Sequence, residues 1–129
     1  MPYLHLDLPL AVAPGDRAEI AGRLARLYAG VMETNPERVT VAFRDLGENG
    51  VLRLGSDGSP ETVVMVQADI RRGRPAEQRE RLGKAVAELL GQALDWPVGR
   101  IVIEFTQHAG DEMFHPHLGG FNQDWTQNA

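Results

Sequence analysis

The sequence contains no cysteine in 129 residues, which excludes disulfides, thiolate metal sites and thiol catalysis, together with the covalent staples of small secreted domains. No uninterrupted apolar stretch approaches the ~20 residues needed to cross a bilayer. The start, Met1-Pro2-Tyr3-Leu4-His5-Leu6-Asp7, has neither the basic nor the continuous apolar segment of a secretory signal, so a cytoplasmic protein without membrane contact is expected. Runs of like charge are also missing. With 13 basic and 18 acidic side chains the net charge is −5, which argues against a nucleic-acid partner. Against that background Arg71-Arg72-Gly73-Arg74 is a local basic cluster, better suited to a small carboxylate than to a polyanion.

What is present is a pattern repeated. Ile20, Leu24, Leu27, Tyr28 and Val31 have helical spacing, and 62 positions later Leu82, Val86, Leu89, Leu90 and Ala93 repeat it. Pro14 and Pro75 sit near the two helix starts, while Pro36 and Pro97 lie beyond the ends. The same offset lays Leu4, Leu6 and Leu8 on Val66, Ala68 and Ile70, and Val39, Val41 and Phe43 on Ile101, Ile103 and Phe105, all alternating with the period of a strand. Between the halves, turn-rich segments flank Val51-Leu52-Arg53-Leu54, an expected short extra strand.

The expectation is one α+β domain over residues 1–129, made of two β-α-β repeats at about 2–60 and 61–129. Its architecture is an α/β sandwich: a four-stranded mixed sheet, both helices on one face, and short extra strands. A ferredoxin-like strand order is the alternative. The other face carries Tyr3, His5, Thr40, Ala42, Met65, Gln67, Val102 and Glu104, a mixture that calls for coverage by oligomerisation.

Pro2 directly precedes an amphipathic strand, so removal of Met1 would leave a secondary amine at a sheet end, a base that no side chain supplies. Met-Pro is also an ordinary way to begin a protein, and context makes the difference here. If the halves are related by a two-fold, the first and third strands are antiparallel neighbours, and Arg71, Arg72 and Arg74 fall near Pro2. Guanidinium charge would favour the neutral, basic amine, and two convergent arginines would bind carboxylate through planar forks. Each arginine taken singly also fits a solvated loop. His108, His115 and His117 with Asp111 lack the helical spacing of a zinc motif, so no metal is expected. Phe121 and Trp125 are read as packing anchors for the tail or as a cap on the pocket, with Gly119-Gly120 permitting the bend.

Pro2, the repeated β-α-β pattern and Ile70-Arg71-Arg72-Gly73-Arg74-Pro75-Ala76-Glu77-Gln78 together resemble the tautomerase superfamily, whose fold is that of 4-oxalocrotonate tautomerase and macrophage migration inhibitory factor. The resemblance is nearest to the cis-3-chloroacrylic acid dehalogenase group and runs to about His117. It implies Pro2 as the catalytic proline, Arg71 and Arg74 as holders of the substrate carboxylate, and a homotrimer. In the related malonate semialdehyde decarboxylases the matching pair is Arg72 and Arg74. The dehalogenase group's water-activating glutamate falls at His115, its pocket histidine at Tyr28 and its pocket tyrosine at Glu104, while the decarboxylase aspartate falls at Val39.

These readings converge on a cofactor-independent tautomerase or isomerase for a small 2-oxo or enol carboxylate, with Pro2, Arg71, Arg74 and His115 catalytic and Arg72, Tyr28 and Glu104 substrate-binding. The alternatives are a dehalogenase, hydratase or decarboxylase acting on three-carbon acids such as 3-haloacrylates, with His115 as the base, and a trimeric binding or scaffold protein without turnover.

Overall fold

Strand β1 (Tyr3–Leu8) alternates half-buried and buried residues along its length, sending Leu4, Leu6 and Leu8 to one side. In this computed structural model, which describes residues 2–127, the chain then enters helix α1 (Pro14–Met32) and returns as β2 (Thr40–Asp45). A hairpin of β3 (Leu52–Leu54) and β4 (Pro60–Thr62) follows. The second unit is β5 (Val64–Arg71), α2 (Ala76–Leu94) and β6 (Ile101–His108). A last hairpin, β7 (Phe114–His115) with β8 (Gly120–Phe121), precedes the tail.

The two helices are each 19 residues long and begin 62 residues apart, so the repeat legible in the apolar spacing extends to the element bounds. Pro14 opens α1, where its missing N–H has no helical acceptor to lose, and Pro75 stands just before α2. Both helices end on a non-glycine residue in the left-handed region, Glu33 (φ 55°) and Asp95 (φ 49°), whose N–H turns back onto the last turn.

The main sheet has the order β2-β1-β5-β6. The outer pairs are parallel and the central pair, β1 with β5, is antiparallel, with Tyr3 opposite Asp69 and Leu6 opposite Val66. This is the mixed sheet expected from the repeats, and it is not the ferredoxin-like arrangement. Leu4, Leu6, Leu8, Val64, Val66, Ala68 and Ile70 meet Ile20, Leu24, Leu82, Val86 and Leu90 in one apolar cluster between sheet and helices. Truncating a side chain as enclosed as Leu24 to alanine costs about 2–5 kcal/mol at such positions. Residues 51–54 do form a strand, from Leu52 onward, but it pairs with β4 and not with the main sheet.

Candidate functional site

One end of the sheet gathers residues from distant parts of the chain. Because β1 and β2 run parallel, their starts lie together, and the Thr40 N–H donates to the Pro2 carbonyl at 3.0 Å. Because β5 runs antiparallel to β1, its final residue Arg71 arrives at the same end. The adjacency required to bring Pro2 near the basic loop is therefore present. The Pro2 side chain is fully buried, whereas the removal of Met1 concerns a residue outside those described.

Beneath this end lies a set of cations with a phenol among them. Arg74 is only 4% exposed, and its Nε donates to the Met32 carbonyl at 2.8 Å, in the last turn of α1 where the helix dipole is negative. Burial works against the Arg74 cation, Arg71 opposes it further, and Glu33 supports it. Arg71 is half-buried and donates from Nη1 to the Gln123 carbonyl at 2.9 Å. Its own pKa is lowered first by burial and then by Arg38, so three guanidinium groups share one field. Among the described residues, none of Arg38, Arg71 and Arg74 forms an ion pair with a carboxylate.

Tyr28, on α1, is 1% exposed, and its hydroxyl has no hydrogen-bond partner among the described residues. Burial pushes the phenol up to about 12 against the opposing pull of Arg74 and Arg71. It is a permanent neutral donor in a cationic setting. A buried hydroxyl left unsatisfied costs about 1–3 kcal/mol, a penalty that a ligand oxygen would relieve.

His115 is buried in β7 and lines a cavity of about 320 Å³ with Tyr3, Thr40, Phe114, Pro116 and His117. Tyr3 and Thr40 mark the starts of β1 and β2, so this cavity opens at the Pro2 end. Burial lowers the His115 pKa from its ordinary value, and the charges of Arg38 and His117 lower it further. At neutral pH the imidazole is uncharged and able to accept a proton.

The other expected site residues lie elsewhere. Arg72 is exposed and turns to the tail, where its Nε meets Asp124 at 2.7 Å. The side chain next to Arg71 in sequence is thus bonded to a carboxylate whose charge also reaches Arg71. Glu104 is exposed in β6, in register with Gln67 and through it with His5, two strands across and three residues along from Pro2. It does not join Tyr28 and the arginines within one chain. Trp125 is buried and Phe121 exposed, the latter edge-on to Phe114 with ring centroids 5.1 Å apart. His108 approaches Glu112 and His115 stacks on His117, and no group of three or more potential ligands among the described residues has the arrangement of a metal site.

Arg38 is the residue that sequence reasoning missed. A signal for it exists: in a β-α-β unit the starts of the two parallel strands are neighbours, and Arg38 stands two residues before β2, as Pro2 stands just before β1.

No family model and no curated protein matches the sequence. Solved structures do match in three dimensions. A member of the cis-3-chloroacrylic acid dehalogenase family is 22% identical with a TM-score of 0.81, the alignment covering 95% of this chain and 85% of that one. A native fused 4-OT is 23% identical with a TM-score of 0.75, covering 88% and 92%. Another fused 4-OT, described as a wild-type asymmetric trimer, is 18% identical with a TM-score of 0.75, again covering 88% and 92%. The chain has the tautomerase fold that these proteins share.

Proposed function

We propose that this chain is an enzyme of the tautomerase superfamily that moves a proton within a small 2-oxo or enol carboxylate, without a cofactor. The observation that carries the reading is a buried Tyr28 hydroxyl, without a hydrogen-bond partner among the described residues, in the field of Arg74 and Arg71, with Arg38 beside Arg71, at the sheet end where Pro2 begins. A site built of surplus cations and a neutral donor is built for an anion.

In the proposed reaction Met1 is removed and the freed Pro2 nitrogen is uncharged, since both burial and nearby cations disfavour its protonated form. Arg71 and Arg74 hold the substrate carboxylate. Pro2 takes the proton from the enol hydroxyl, the O–H electron pair becomes the carbonyl π bond, and the enol π pair takes a proton back at C3 from the Pro2 ammonium. The enolate charge that develops between these events is held by guanidinium and by the Tyr28 hydroxyl. The open face of the sheet, half-buried at Tyr3, His5, Met65 and Val102, supports a homotrimer, as does the trimeric relative of the same fold.

A second reading rests on His115. An uncharged, buried imidazole beside the start of β1 could take a proton from water, which would then add to a three-carbon acid such as a 3-haloacrylate, with Pro2 acting as an acid. Proton NMR separates the two. Ketonisation of phenylenolpyruvate identifies the tautomerase, and loss of halide from cis- or trans-3-haloacrylate identifies the hydrolytic enzyme. Pro2→Ala should lower kcat/KM by about 100- to 10,000-fold, the range of a positioned general base. Undiminished turnover in that variant, or full activity in protein whose intact mass retains Met1, would overturn both readings.

A further inference from the structure

The tail after β8 crosses the loop that bears the arginines, and it does so as a fitted strap. The Trp125 N–H donates to the Arg72 carbonyl at 2.9 Å, and the Gln123 carbonyl accepts from Arg71 at 2.9 Å. Asp124 takes the Gly110 N–H at 2.9 Å through one oxygen and Arg72 Nε at 2.7 Å through the other. Two glycines make room for it. A Cβ on Gly73, where φ is +126°, would collide with the Trp125 carbonyl, and one on Gly110 with the backbone of Gln123.

At the end of this strap the indole of Trp125 lies 5.2 Å from the Arg74 guanidinium carbon, measured to the ring centroid. Trp125 is 9% exposed yet stands outside the apolar cluster between sheet and helices. Its burial is against the arginine loop. The Arg74 guanidinium is thereby held by the Met32 carbonyl at Nε and by an aromatic ring, while its terminal nitrogens donate to no acceptor among the described residues.

We propose that Trp125 is a positioning residue: carried by the strap, it orients the Arg74 guanidinium so that its terminal N–H groups present a fork to the substrate carboxylate. The proposal rests on the reading of Arg74 as a carboxylate holder. It assigns the tail a part in substrate affinity and none in the proton transfer itself.

The test uses full-length protein, calorimetric titration with malonate as an unreactive carboxylate, and steady-state ketonisation of phenylenolpyruvate. Trp125→Leu keeps an apolar side chain and loses the ring; it should weaken malonate binding and raise KM by about tenfold, with kcat within about twofold. Trp125→Phe, which restores a π face, should return both to within about threefold of the parent. If Trp125→Leu does not fold by circular dichroism, Asp124→Ala, which unclasps the strap and leaves the ring, should show the same split at smaller amplitude. A fall in kcat at constant KM, or a phenylalanine no better than leucine, would mean that Trp125 only packs, and the proposal fails. Arg74→Ala separates this failure from a deeper one: if it leaves malonate affinity and KM unchanged, the carboxylate reading itself falls, and the strap proposal with it.

Discussion

Arg38 and Arg100 occupy equivalent places in the two β-α-β units. Each closes a short 3-10 turn, 62 residues apart, just ahead of an edge strand of the main sheet. Their surroundings differ. Arg100 meets Glu61 at 3.4 Å, and Glu61 also accepts from Arg53 Nε at 2.8 Å, while Arg53 Nη2 donates to the Gly99 carbonyl. Arg38 faces Arg71 and His115 and has no carboxylate ion pair among the described residues. A similar contrast runs through the helices, where the position occupied by buried Tyr28 in the first unit is held by buried Leu90 in the second. The larger cavity, about 760 Å³, lies at the neutralised end beside Arg100, and the one of about 320 Å³ lies at the cationic end. Size does not select the site here. Unspent charge and an unspent hydroxyl do, because they are costs to the empty protein that a bound anion would offset.

The sharpest test of that contrast is Tyr28→Phe, which makes the first unit resemble the second. It should lower kcat/KM for phenylenolpyruvate by about 10- to 100-fold, the worth of one hydrogen bond to a charged group. The same change should stabilise the fold by about 1 kcal/mol, read as a higher urea midpoint, because it removes an orphaned hydroxyl. Equal stability with equal activity would show that the hydroxyl faces no ligand. Next in size, Arg38→Met should raise KM about fivefold at low salt, with the difference shrinking as ionic strength rises.

His115 gives a smaller effect with a defined sign. Its folded-state pKa lies below its unfolded one, chiefly through burial, so between the two values the unfolded chain binds more protons. Stability is complete above the ordinary histidine range and falls as pH drops through it toward the folded value. His115→Gln should therefore flatten the loss of stability between pH 7.5 and pH 5 in urea titrations, and an unchanged slope would remove the assigned shift. Smallest of all, Arg100→Met should leave KM untouched and cost no more than about 1 kcal/mol, since the pair it breaks is half-exposed. A rise in KM from this variant would erase the distinction between the two ends.

Much of this contrast could be read from residue spacing. The offset of 62 between apolar patterns anticipated both helices and all four strands of the main sheet, because each periodicity reports which side of an element is buried. It also brought Pro2 and Arg71 to one end, since a two-fold between halves makes β1 and β5 antiparallel neighbours. What spacing could not supply was the fate of individual charges. Arg71 and Arg72 are adjacent and chemically identical, yet Arg71 forms no ion pair with a carboxylate among the described residues while Arg72 is bonded to Asp124, a partner 52 residues away in a segment with no periodic pattern. The path of that segment is set by backbone lying on backbone at Gly73 and Gly110, which no side-chain pattern encodes.

The seam between β1 and β5 has a consequence for how reactivity arises during folding. Tyr3 and Asp69 are paired across it, so the nitrogen at one sheet end and the cations that would tune it meet only after a long loop of chain has closed. The first half alone holds Pro2 with Arg38 and lacks Arg71 and Arg74, which belong to the second. In the proposed reaction the carboxylate clamp of Arg71 and Arg74 therefore reaches the Pro2 nitrogen only in the step that zips the two halves together.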